Sequence, residues 1–278
     1  MDKDSIRKSV REHYAAVAKE QTGCCGSPAV AATNCCGLAD VRAVGTAIGY
    51  STDEMAGVPE GANLGLGCGN PLALSDLKEG ETVVDLGAGA GFDCFLAVRR
   101  VGPIGRVIGV DMTPDMVEKA RANARKAGFS NVEFRLGEIE HLPVADASAD
   151  MVISNCVINL SPDKPQVFRE ALRVLKPGGR LMVSDLVLKR PLPKSVLESV
   201  EAYAGCISGA SLKEDYLQGM RDAGFEHVET VAENSYPIGS CNPDTSELAA
   251  LAEGLPPQDV ADAAESVVSV KVRALKPR

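Results

Sequence analysis

The stretch Val83-Val84-Asp85-Leu86-Gly87-Ala88-Gly89-Ala90-Gly91 limits what this chain can fold into more than any other. An apolar strand runs into an acid, then into three glycines at alternate positions, then into an apolar helical pattern. Such a turn aims backbone N–H groups outward, and no Cβ stands in a ligand's way. Asp111 follows Gly91 by twenty residues, at the end of a second apolar strand, Arg106-Val107-Ile108-Gly109-Val110. An acid there can take both hydroxyls of a ribose. The pair of features predicts a bound nucleoside.

Glycine spacing selects the nucleoside. A dinucleotide fingerprint wants glycine or alanine three residues after its second glycine, where this chain has Phe92. The pattern Asp-x-Gly-x-Gly-x-Gly resembles motif I of the S-adenosylmethionine (SAM)-dependent methyltransferases instead. Beyond the strand ends the resemblance implies cofactor contacts from Asp85, Gly87, Gly89, Asp111 and Met112. Glu138-Ile139 would meet the adenine edge, and Asn155 would position the cofactor amine.

From Leu74 onward strands and helices alternate. Strands are expected over 82–86, 106–110, 132–136, 149–154 and 180–186, with helices over 92–101, 114–127 and 164–175. The order predicts an α/β fold of the class I SAM-methyltransferase (Rossmann-like) type. Its five parallel strands would be joined by a terminal antiparallel hairpin, 225–232 with 267–274. Helices are expected over 5–20, 38–56 and around a loop within 193–223. Three units follow: an N-terminal thiol-rich arm and cap (1–71), the cofactor-binding core (72–190), and further helices and a loop with the closing hairpin (191–278).

A net charge of −9, no Trp, and only six Phe and five Tyr disfavour a nucleic-acid partner. No apolar run approaches the ~20 residues of a membrane helix. The charged start Met1-Asp2-Lys3-Asp4-Ser5 predicts no signal peptide and a cytoplasmic protein. Nine cysteines are then expected mainly as thiols.

Their placement matters more than their number. Cys156 follows strand 149–154 directly, where an acceptor should sit. Cys206 lies in a loop, Gly205-Cys206-Ile207-Ser208-Gly209, that can fold over the same sheet edge. Cys68 lies between glycines in Leu66-Gly67-Cys68-Gly69-Asn70-Pro71. These three lack the paired spacing of a four-ligand zinc site. Three thiolates suit a soft pyramidal centre such as trivalent arsenic, whose lone pair could attack a sulfonium methyl without a general base. Cys94 reads as core and Cys241 as an incidental loop thiol.

Together these segments resemble the arsenite methyltransferases, over residues from about 8 to 232. The carrying stretches are Cys24-Cys25-Gly26, Gly65 to Pro71, Asp85 to Asp93, Gly109 to Thr113, Ser154 to Ser161 and Gly205 to Ala210. The resemblance implies arsenite binding by Cys156 and Cys206, with Cys68 in the substrate-handling or redox set. A fourth, N-terminal cysteine is implied, a role for which Cys24, Cys25, Cys35 and Cys36 compete. Arsenite would arrive as a small-thiol complex. Methylation formally oxidises arsenic, so glutathione or thioredoxin would reset a protein disulfide. Two other readings stay open: a methyltransferase of an organic acceptor, and a non-enzymatic metalloid-binding thiol protein.

Overall fold

The apolar stretches expected as strands form one seven-stranded sheet in a computed structural model that describes residues 2–20, 45–197, 207–235 and 256–278. Its strands are β1 (Thr82–Leu86), β2 (Arg106–Asp111), β3 (Val132–Leu136), β4 (Ala149–Asn155), β5 (Leu175–Leu188), β6 (Glu226–Ser235) and β7 (Val267–Leu275). Their spatial order is β3-β2-β1-β4-β5-β7-β6. The first five are parallel, and β7 runs antiparallel between β5 and β6. The expected class I methyltransferase sheet is present, with its antiparallel end.

Helices are α1 (Lys3–Glu20), α2 (Thr52–Ala56), α3 (Phe92–Val101), α4 (Pro114–Ala127), α5 (Lys164–Val174), α6 (Lys194–Leu197), α7 (Lys213–Asp222) and α8 (Pro257–Ser266). Strand alternation divides the core between the two faces of the sheet. Val83, Val107, Met151, Ile153 and Met182 point to one face and pack with Phe95, Val98 and Ala120 of α3 and α4. Val84, Ile108, Val152, Leu181 and Val183 point to the other, against Val167 and Phe168 of α5 and Tyr216 and Met220 of α7. Both faces are buried, as near-continuous apolar strands require. The strand order reverses between β1 and β4, and that crevice is where an open parallel sheet holds its ligand.

Three boundaries differ from expectation. The helix expected over 38–56 is broken within the described residues. Gly49 sits at φ 100°, and Ser51 starts α2 afresh with a capping box on Glu54. Strand β5 begins at Leu175, five residues early, because Leu175 pairs with Ala149 ahead of the Pro-Gly-Gly turn. A ten-residue helix, α8, precedes β7 where loop and short helices were expected. No helix among the described residues is long and apolar enough to cross a membrane.

Candidate functional site

A pocket opens at the reversal point. Its lining includes Asp85, Gly87, Gly89, Asp111, Met112, Ile139, Asn155 and Cys156. Gly87 and Gly89 hold φ 67° and 52°, which L side chains rarely adopt. A Cβ on Gly87 would strike Val157, whereas one on Gly89 would enter open space. The Gly89 N–H donates to Asp111 Oδ2 at 2.9 Å, and the Thr113 N–H donates to Asp111 Oδ1 at 2.8 Å. Burial raises the Asp111 carboxyl above its usual range, and these two amides oppose that shift.

The pocket wall beneath this turn is acidic. Asp85, next to last in β1, is buried, and burial, then the neighbouring Asp93, hold it well above the usual carboxylate range. Asp93 is raised to about 6 by burial, against hydrogen bonds from Tyr50 and Asn155. The Tyr50 hydroxyl donates to Asp93 Oδ1 at 2.6 Å. Asn155 Nδ2 donates to Asp93 Oδ2 at 2.9 Å and to the Gly69 carbonyl at 2.8 Å. Its Oδ1 accepts from the Cys68 N–H at 3.1 Å. Asn155 therefore lines the pocket and pins the Cys68 loop to it. Sequence reasoning gave no role to Tyr50 or Asp93. The nearest signal was the position of Asp93, two residues past the last glycine of the turn.

Helix α1 closes the pocket from above. Arg7, Val10 and Tyr14 contribute to the lining. Glu138 is turned outward, 3.5 Å from Arg7 and 3.3 Å from Arg11, and Glu140 lies 3.4 Å from Arg7. Ile139 and Glu140, rather than the Glu138 carboxylate, face the lining. The reason is electrostatic: two cations on α1 sit directly over Glu138.

Two of the singled-out thiols meet at the pocket floor, Cys156 in the lining and Cys68 behind it. Cys68 and Cys156 are both buried, at 2% and 7% exposure. Cys156 holds φ 58°, rare for a residue with a side chain, and its N–H donates to the Ser184 carbonyl at 2.8 Å. The Cys68 thiol donates to the same carbonyl at 3.5 Å. Gly67 and Gly69 let the backbone on either side of Cys68 approach its neighbours closely. A Cβ on the first would sit 2.7 Å from Asn155 Nδ2, and one on the second would strike the Ser184 hydroxyl. The Sγ atoms of Cys68 and Cys156 and a carboxylate oxygen of Asp185 all lie within 4.8 Å of one another.

Asp185 was missed because it stands in an otherwise apolar strand with no local motif. It is fully buried, and burial raises its carboxyl to about 6, opposed by the Leu186 N–H and the Tyr216 hydroxyl. Cys206 and the arm cysteines Cys24, Cys25, Cys35 and Cys36 lie outside the described residues, as does Cys241. Ile207, next to Cys206 in the chain, is fully buried in the apolar cluster that contains Cys68, Cys156 and Leu186. Cys94 is core, as expected, with its thiol donating to Asp85.

A family model described as a methyltransferase domain matches residues 77–224. An arsenite methyltransferase of Halobacterium salinarum is 50% identical over 231 residues, covering 82% of this chain and 59% of that protein. One of Aquipseudomonas alcaligenes is 42% identical over 179 residues and is covered over 51% of its length. The chain thus spans between half and six tenths of these curated relatives. The crystal structure of an arsenic(III) S-adenosylmethionine methyltransferase from Chlamydomonas reinhardtii superposes with a TM-score of 0.64 at 35% identity. That match covers 86% of this chain and 74% of that one.

Proposed function

Since the chain belongs to the methyltransferases, and among them to the arsenic(III) methyltransferase family, we propose that it moves methyl groups from SAM to trivalent arsenic bound on its own thiols. The observation that carries this reading is the meeting of Cys68 and Cys156, from segments far apart in sequence, where Cys156 enters the pocket that the glycine turn lines.

The pocket suits SAM on two counts. Gly89 leaves a space that any side chain would fill. Asp85, Asp93, Asp111 and Glu140 surround the lining with acid groups, a match for a ligand bearing a sulfonium and an ammonium. When bound, SAM supplies a methyl group on positively charged sulfur. Asp111 would take the ribose, Met112 and Ile139 the adenine, and Asp85, Gly87, Gly89 and Asn155 the methionine end. Glu138 supports this wall through Arg7 and Arg11.

Arsenite would arrive as a complex with small thiols and exchange onto Cys68 and Cys156, with Cys206 as the third sulfur. Each protein thiol gives up its proton as it displaces a ligand. The left-handed backbone at Cys156 directs its sulfur toward Cys68 rather than along the strand. The apolar cluster around both thiols keeps water from competing with sulfur. Glutathione or thioredoxin would return the electrons that arsenic surrenders, through Cys68 and one of Cys24, Cys25, Cys35 or Cys36.

The test is transfer of a radiolabelled methyl group from SAM, with and without arsenite, in the presence of glutathione. Wild-type protein should label arsenic only, and Cys156→Ser or Cys68→Ser should fall to background. Calorimetric SAM affinity should stay within about twofold in both variants, because neither thiol belongs to the glycine turn. Arsenite methylation at the wild-type rate by Cys156→Ser would reject the site. Labelling of an organic acceptor without arsenic would reject the substrate.

A further inference from the structure

The floor of the pocket offers a third donor that arsenic does not require. Asp185 Oδ1 accepts the Leu186 N–H and Asn159 Nδ2, both at 2.9 Å. Its Oδ2 accepts the Tyr216 hydroxyl, at 3.0 Å, and the Asn159 N–H also supports the carboxylate. Together these contacts hold the carboxylate in one orientation. Hydrogen-bond partners that orient a carboxylate are the usual outer shell of a metal ligand. Tyr216 and Asn159 are themselves fully buried, so this orientation is fixed by packing.

We propose that Cys68, Cys156 and Asp185 form a binding site for a thiophilic divalent cation of the zinc class, which competes with arsenic for the same two sulfurs. Zinc takes thiolate sulfur at about 2.3 Å and carboxylate oxygen at about 2.0–2.2 Å in a tetrahedron, which sets donor atoms roughly 3.3–3.8 Å apart. The three donors already lie within 4.8 Å of one another, so a closure of at most about 1.5 Å per pair completes the set. Cys156 also lines the pocket, which leaves the fourth position to water or a small thiol from that side. On binding, the cation replaces the two thiol protons, which pass to solvent, and nothing is oxidised or reduced. Lys271 of β7 runs beside Gly69, its Cε 3.6 Å from where a Cβ on that glycine would lie. Its charge offsets part of the excess negative charge of two thiolates and a carboxylate around a dication.

The two occupants read the floor differently. Trivalent arsenic is soft and pyramidal and is satisfied by sulfur alone, whereas zinc accepts oxygen and prefers four ligands. Asp185 is thus a ligand for the cation and a bystander for the metalloid. Free zinc should inhibit arsenite methylation by occupying Cys68 and Cys156. Only the name of the competitor rests on the proposed function; the cation site stands on the three donors.

The experiment is residue-resolved alkylation of the full-length reduced protein by iodoacetamide, followed by mass spectrometry, with zinc chloride or arsenite as protectant. Reading Cys68 and Cys156 individually keeps the other cysteines out of the result. In wild-type protein zinc should slow alkylation of both by at least about tenfold. In Asp185→Asn the half-protecting zinc concentration should rise about tenfold or more, with the arsenite value unchanged. Absence of zinc protection in the wild type overturns the proposal, as does equal protection in the variant. Loss of arsenite protection along with zinc protection overturns it too, since Asp185 would then only support the fold. Zinc protection of the wild type without arsenite protection would leave the cation site standing and remove the arsenic reading.

Discussion

The cofactor half and the thiol half of the pocket are built in opposite ways. The glycine turn, Asp85 and Asp93 come from one unbroken stretch, and Asp111 from the adjacent strand end. The floor draws Cys68 from the segment before β1, Cys156 from the end of β4, Asp185 from β5 and Tyr216 from α7. One side is a local device of backbone amides; the other is a tertiary assembly. Asn155 joins them, with one end on Asp93 and the other on Cys68. A local device of this kind needs one strand–turn–helix unit and the next strand, whereas the thiol floor exists only if the entire sheet is correct.

The largest expected effect lies at Asp93, in the cofactor half. Asp93 is raised to about 6 in the fold, above its unfolded value near 3.8. Its contribution to stability is therefore complete below the unfolded value and disappears as pH rises through 6. Between pH 4 and 7 this one group should remove on the order of 2 kcal/mol. Urea denaturation of Asp93→Asn across that range should show a flatter profile than wild type. Over the same window SAM should bind more tightly to wild type as Asp93 ionises, while alkylation of Cys156 shows no step assignable to Asp93. An unchanged urea profile in the variant would break the comparison at its acidic side.

Asn155→Ala should break it at the join. The substitution strands the Cys68 N–H and removes two donors from Asp93 and Gly69. A loss of about 1–3 kcal/mol in denaturant stability follows, together with faster alkylation of Cys68. Asp111→Ala sharpens the comparison instead. SAM affinity measured by calorimetry should weaken on the order of tenfold, by loss of a charged hydrogen-bonding group, while alkylation of Cys68 and Cys156 stays at the wild-type rate. The smallest effect is expected at the roof. Arg11 is 44% exposed, and its pair with Glu138 is worth at most about 0.5 kcal/mol. Arg11→Ala should weaken SAM binding less than twofold at physiological salt.

The same contrast explains what could be read before the fold was seen. Strands 82–86 and 132–136 match to the residue because apolar runs bounded by turn residues are local signals. Gly87, Gly89 and Asp111 were legible because their chemistry lies within one strand–turn–helix unit and the next strand. Cys68 and Cys156 were legible as candidates from their positions at strand ends. Asp185 was not, since a single acid between Ser184 and Leu186 carries no pattern, and only the pairing of β4 with β5 brings it beside Cys156. Glu138 was placed by its position after β3, and the ion pairs that turn it away come from α1, more than a hundred residues earlier. The break at Gly49 escaped because apolar periodicity does not register a single left-handed residue.

The dihedral at Cys156 has a consequence for how such a protein can change. A residue with a Cβ held at φ 58° carries a penalty on the order of 1 kcal/mol that glycine would not. Selection for heat tolerance alone would favour glycine there, and selection for turnover would forbid it. If Cys156 holds the metalloid as proposed, hardiness and catalysis pull one codon in opposite directions.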